Sequence, residues 1–152
     1  MTRRYAYLFA VAVLVEAPSA PVRAQQETVA ELQAKADQGV ASAQFNLGLI
    51  YLEGQGVPQD GAEAVRWYRL AAEQGHAVSQ NNLGLMYVEG QAVSQDHVQA
   101  YKWFNLAASS GATGEDREGM IGNRDRAYRL LTPDQRAEAQ RLVREWNAAH
   151  PR

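Results

Sequence analysis

The sequence predicts an all-α fold, a short α-solenoid of helical hairpins with two full repeats between half-repeat caps. Three observations carry that expectation. First, the stretch from Gly39 to Gly75 is nearly repeated from Gly75 to Gly111. Leu47-Gly48-Leu49 returns as Leu83-Gly84-Leu85, Glu53-Gly54-Gln55 as Glu89-Gly90-Gln91, and Trp67 as Trp103, always at an offset of 36 residues. A fixed period in this range marks stacked units, none of which can bury its apolar face alone. Second, apolar residues inside each copy fall at helical spacing. Ala43, Leu47 and Tyr51 lie four apart, and Ala64, Trp67 and Ala71 lie at i, i+3, i+7, echoed by Ala100, Trp103 and Ala107. Third, Gly54-Gln55-Gly56-Val57-Pro58 divides the copy into two helices with residues that permit unusual dihedrals.

Taken in order, residues 1–24 read as a secretory signal peptide outside the fold. Arg3-Arg4 gives a positive start, and Tyr5 to Val15 is an apolar run too short to span a bilayer comfortably. Val22 and Ala24 fit a small-residue cleavage site with Gln25 as the mature start, whereas a cut after Ala20 would place Pro21 beside the scissile bond. An N-terminal anchoring helix is the competing reading. The location expected is exported, periplasmic or secreted from a bacterium. Cleavage would leave 128 residues with 12 basic and 16 acidic side chains, a formal charge of −4. Such a chain has no electrostatic reason to seek nucleic acid or anionic lipid, and no second segment reads as a membrane span. With no cysteine, packing alone must hold the fold in an oxidising compartment.

Residues 25–38 read as an N-terminal cap helix with Val29, Leu32 and Ala36 on one side, the alternative being a disordered mature N-terminus. Residues 39–74 form repeat one and 75–110 repeat two. Gly48 and Gly84 sit in mid-helix, where glycine costs about 1 kcal/mol against alanine, so a neighbouring helix must come too close for a side chain. Asp60 and Asp96 are placed to N-cap the second helices, and Gly75 and Gly111 to follow their C-termini. Residues 111–152 read as a degenerate C-terminal capping hairpin: a loop over Ala112 to Asp116, a helix from about Arg117 to Leu131, then a second helix. Thr132 is its expected N-cap, Pro133 its first residue, and Gln135 closes a capping box. Ala139, Leu142, Val143 and Trp146 share its apolar face. The expected core is Leu47, Tyr51, Trp67, Leu70, Leu83, Tyr87, Trp103, Leu106 and Trp146, each worth about 1.5–3 kcal/mol on burial. Chain entropy offsets most of that, so a monomer of modest stability is expected.

The residues of the two copies resemble the Sel-one-like repeat family, a relative of the tetratricopeptide repeats. Its pattern, A-x3-LG-x2-Y-x2-G-x-G-V-x-x-D-x3-A-x2-W-(Y/F)-x2-AA-x2-G, is matched from Ala43 to Gly75. The second copy departs from it at Ser79, Ala92 and Ser94, which leaves its loop shape open. The resemblance implies a right-handed, tetratricopeptide-like solenoid whose first helices line a groove that holds peptides. The positions implied are Phe45, Leu49, Leu52 and Glu53 in repeat one, and Asn81, Leu85, Val88 and Glu89 in repeat two. Asn46 and Asn82 recur beside that row, and an Asn amide can clamp an extended peptide by accepting and donating at once. Equally, both could bond a neighbouring helix, and Leu49 and Leu85 could be ordinary core.

No catalytic set assembles in the sequence. His76, His97 and His150 read as solvated and lack metal-ligand spacing. Gly54-Gln55-Gly56 looks like a phosphate loop but has neither a preceding strand nor a following Gly-Lys-Ser. Ser42, Ser109 and Ser110 have no base nearby in the pattern. No cofactor, no metal and no enzymatic activity are therefore expected. The expected function is an exported protein-interaction module that holds a segment of another envelope protein. A periplasmic regulator restraining a sensor or enzyme is the alternative. An enzyme acting on cell wall or β-lactams is the least favoured reading.

Overall fold

The computed structural model describes residues 28–110 and 113–151. The expected signal peptide, residues 25–27 of the cap, Gly111 and Ala112 lie outside the described residues. Seven helices occur among the described residues, and no strand. They are α1 (Val29–Asp37), α2 (Ala41–Glu53), α3 (Gly61–Glu73), α4 (Ala77–Glu89), α5 (His97–Ala108), α6 (Gly114–Leu130) and α7 (Pro133–Ala149). Each packs on its successor from α1 to α6, so the chain is an all-α solenoid of hairpins.

The glycines set the spacing inside each hairpin. A Cβ at Gly48 would lie 2.6 Å from the Tyr68 ring, and one at Gly84 would lie 2.5 Å from the Phe104 ring. Both rings are almost fully buried, so neither can swing aside. The approach expected from the sequence is therefore made by the aromatic that follows each tryptophan. The tryptophans face the other way, toward the preceding unit. Trp67 packs with Leu32, Ala36, Ala43 and Leu47, while Trp103 packs with Val65, Tyr68, Ala72 and Leu83. Arg66 covers one ring at 3.9 Å and Lys102 the other at 4.2 Å. They occupy equivalent seats one step apart.

The caps follow the sequence signals. Asp60 accepts from the amides of Ala62 and Glu63, and Asp96 from those of Val98 and Gln99. Thr132 and Gln135 form the expected capping box with Pro133 at the helix start. An unforeseen capping box, Thr28 with Glu31, opens α1. Gly75 follows the Gln74 C-cap of α3.

The second loop keeps the shape of the first despite its substitutions. Gly54 and Gly90 end α2 and α4 at φ +70° and +68°. Ala92 takes the left-handed conformation of Gly56, φ +56° against +72°, at a cost of about 1–2 kcal/mol. The anchoring bonds explain why it complies. The Asp60 amide donates to Tyr51 O and the Asp96 amide to Tyr87 O, both at 2.9 Å. Gln59 and Gln95 donate to Leu52 O and Val88 O, both at 2.7 Å.

Some expectations need correction. Leu70 is 41% exposed, whereas its counterpart Leu106 is 3% exposed in a cluster that Trp146 covers. Helix α6 begins at Gly114, ahead of Arg117, and ends at Leu130. The two C-terminal helices both rest on α5 and scarcely touch each other. Helix α7 reaches back instead, so that Trp146 Nε1 donates to Glu73 Oε2 of α3 at 2.9 Å. The three histidines are half-buried, not solvated. His150 stacks on Trp146 at 4.1 Å, and the His97 Nδ1 is buried without a partner among the described residues. His76 N-caps α4, its Nδ1 accepting the Ser79 amide at 3.3 Å beside the Phe45 ring.

Two expectations for stability follow from these contacts. Gly48→Ala or Gly84→Ala should lower unfolding free energy by about 1–3 kcal/mol through overpacking. Gly122→Ala, on exposed α6 with open space around it, should raise it by about 0.5–1 kcal/mol through helix propensity. Thermal unfolding read by circular dichroism checks both, and gains at all three sites would remove the ring contact from the account. Burial holds the His76 pKa below its ordinary 6.5, and its cap bond needs a neutral ring. As pH falls the unfolded chain takes up that proton first, so stability drops below about pH 6.5 until the folded ring also titrates. His76→Asn keeps a cap and should flatten part of the Tm decline between about pH 7 and 5. An unchanged slope would remove His76 as its source.

Candidate functional site

The ten residues expected along the first helices do not form one continuous row. Leu49, Leu52, Asn82, Leu85 and Glu89 gather around a depression of about 190 Å³ between α2 and α4. Leu85 and Val88 border a second, of about 40 Å³, beside Asn123 and Leu130 of α6. The turn of each helix brings positions four apart to one side, which is why Leu85 and Glu89 meet Leu49 there. Leu85 is 36% exposed, Leu49 and Leu52 are half-buried, and Glu53 and Glu89 are exposed.

The other positions lie away from that depression. Phe45 packs into the inter-repeat junction, its ring 5.8 Å from Tyr68 and 5.1 Å from His76. Asn81 accepts a bond from the Asn123 amide of α6 at 3.0 Å, so this asparagine joins neighbouring helices. Val88 leans on the core formed by Ala100, Phe104 and Ala127. Asn46 is exposed, and Glu53 accepts from the side chain of Gln55.

A buried hydroxyl lies at the base of the larger depression. Tyr68 is fully buried, its ring held against Gly48, and its oxygen finds no hydrogen-bond partner among the described residues. Burial pushes its pKa above the ordinary 10.0, the Asn82 side chain pulls it back, and the Glu53 charge pushes it up again. Asn82 thus stands near the hydroxyl without making a hydrogen bond of full geometry to it. The sequence hides this group, because a tyrosine beside a core tryptophan reads only as packing. Phe104, its counterpart, carries no hydroxyl.

Two larger hollows open elsewhere and were not foreseen. One, of about 560 Å³, lies along α3 and α5 between Arg69, Glu73, Tyr87, Gln99 and Lys102. There Arg69 donates to the Tyr87 hydroxyl at 3.0 Å, and burial pushes the Lys102 ammonium below its ordinary pKa of 10.5. The other, of about 440 Å³, lies under the end of α7 between Glu73, Gln80, Leu106, Ser110, Trp146 and His150. Both depend on how helices cross, so spacing along the chain carried no sign of them. Among the described residues no three His, Cys, Asp or Glu side chains gather as a metal site, and no helix is long and apolar enough to cross a membrane.

The family model for the Sel1 repeat matches residues 41–76 and 77–111. No curated protein matches the chain. Among solved structures it is similar to a protective antigen present in uropathogenic Escherichia coli strains, described as displaying an SLR fold. That match has 35% identity and a TM-score of 0.71, and covers 79% of this chain and 25% of the antigen. It is also similar to a Sel1 repeat protein from Oxalobacter formigenes, at 38% identity and a TM-score of 0.54, over 66% of this chain and 35% of the other. The chain thus spans about a quarter to a third of the length of these two proteins. The chain carries two Sel1 repeats and shares its hairpin stack with SLR-fold structures.

Proposed function

We propose that the chain is an exported interaction module that holds a segment of another envelope protein across α2 and α4. The Sel1 array is a protein-interaction fold, and the observation that carries the finer reading is the depression over Tyr68. At about 190 Å³ it is smaller than the roughly 300–1,000 Å³ typical of small-molecule sites. It suits a single apolar side chain of a longer segment. Leu49, Leu52 and Leu85 supply the apolar wall. Asn82 can both donate to and accept from an extended backbone, and the unpartnered Tyr68 hydroxyl gains a bond on occupancy. Glu53 and Glu89 add negative charge at the rim, favouring a segment with a basic residue beside its apolar anchor.

Export is supported by the signal-like pattern of residues 1–24 and by the similarity to a bacterial protective antigen. In this reading residues 25–152 act after cleavage as a monomer free of the membrane, with no cofactor or metal. The hairpin stack spans 39–110, with capping segments on either side.

Recovery of envelope proteins on immobilised wild type, Leu85→Asp and Asn82→Asp tests the binding face. A specific partner should be retained by the wild type and fall at least about tenfold with Leu85→Asp, at unchanged helicity. Equal recovery on all three would remove this face from the binding account. Export predicts that the mature chain begins at Gln25 in the N-terminal sequence of the purified protein. A chain that retains Met1 or Thr2 would end that part of the proposal.

A further inference from the structure

We propose that the hollow under the end of α7 binds a cation rich in N–H donors, a guanidinium or primary ammonium group. Gln80 Oε1 and the Glu73 carboxylate are its acceptors. The starting observation is a difference between repeats. Gln44 and Gln80 are equivalent buried residues at 4% and 1% exposure. Each donates its Nε2 back to the preceding second helix, Gln44 to Ala36 O at 3.1 Å and Gln80 to Ala72 O at 3.0 Å. Those bonds fix which end of each amide is oxygen. In repeat one Gln74 closes the arrangement, donating to Gln44 Oε1 at 2.7 Å. The residue one period after Gln74 is Ser110, whose hydroxyl bonds Ala107 O at 2.6 Å instead. Among the described residues no donor reaches Gln80 Oε1. A buried acceptor left so costs about 1–3 kcal/mol, which a ligand donor would recover.

The hollow under α7 opens beside that shorter side chain. Its volume of about 440 Å³ lies within the range of ligand sites, and both Gln80 and Ser110 line it. Glu73 stands on the same wall, oriented by the Trp146 indole at 2.9 Å, with His150 Nε2 at 3.7 Å. A carboxylate offers about four acceptor sites, so the indole leaves others for a ligand. Arg69 and Lys102 border Glu73 in the neighbouring hollow, and neither lines this one. Two fixed acceptors, one charged, on a wall shared with Leu106 and Trp146 select a donor cation with an apolar stem. A free amine or an arginine side chain on a peptide has that chemistry. The site is separate from the face over Tyr68, so either can fail without the other.

The test is a nuclear magnetic resonance titration of the full chain with agmatine and with N-acetyl-arginine amide. Saturable shifts of the Gln80 side-chain amide and the Trp146 indole are expected at a Kd of about 1 mM or tighter. Tighter agmatine binding would mark a free amine as the source, and tighter binding of the blocked arginine a peptide. Ser110→Gln, which restores the donor present in repeat one, should weaken binding at least about tenfold. It should also leave the melting temperature equal or higher. Glu73→Gln, which keeps an acceptor for Trp146, should weaken it by a similar factor and carries the test if Ser110→Gln does not fold. Absence of saturable shifts in the wild type, or unchanged affinity in the folded variants, would overturn the proposal in favour of a hollow that holds water only.

Discussion

The fold depends on an aromatic ring packed directly against a helix backbone at a glycine. Gly48 under Tyr68 and Gly84 under Phe104 let the two helices of each hairpin approach to a distance that a single methyl group would forbid. Mid-helix glycine costs about 1 kcal/mol of propensity. Burial of a whole aromatic side chain, at about 25 cal/mol per Å², outweighs that cost. Once the hairpin is closed in this way, its tryptophan is left facing backward. Trp67 fills the space against α1 and α2, and Trp103 fills the equivalent space against repeat one. Rings therefore close each unit and tryptophans join it to the one before, so a contact within the hairpin determines how the array stacks.

Near-identity of the copies makes their differences informative. Ala92 for Gly56 is absorbed because the same two anchoring bonds recur in its loop. Val40 gives way to His76 together with Ala43 to Ser79, and the new pair makes a cap that Val40 cannot make. Phe45 becomes Asn81, and an aromatic junction becomes an amide pair with Asn123. Gln74 becomes Ser110 with no change elsewhere to satisfy Gln80. Tyr68 becomes Phe104, so the hydroxyl under the α2–α4 depression occurs once. The first three changes are compensated within the fold. The last two leave one polar atom each beside an opening, where a repeat array can specialise without loss of its scaffold.

The ends of the array are closed by different means. Helix α1 presents Leu32 and Ala36 to Trp67 under a capping box. At the other end α6 and α7 spread over α5, with Met120 against Ala107 and Ala108, and Val143 and Trp146 against the core of both repeats. The reach of α7 back to Glu73 explains why Leu106 is buried and Leu70 is not. It also creates the hollow beneath its own terminus.

Period, caps and turns were legible in the sequence because each is a local rule repeated at constant spacing. The hairpins, the capping roles of Asp60, Asp96 and Thr132, and the tight approach at Gly48 and Gly84 all follow from residues within one unit. The gathering of Leu49, Leu52, Asn82, Leu85 and Glu89 around one depression was legible for the same reason, since helical spacing puts these positions on one side. The sequence could not show that Phe45 and Asn81 are spent on inter-helix contacts, or that Tyr68 is the ring above Gly48. Nor could it show that α7 leaves its hairpin partner to cross α5. Those depend on the angles at which helices meet, and such angles are decided by side chains from distant parts of the chain packing together, which no local period encodes.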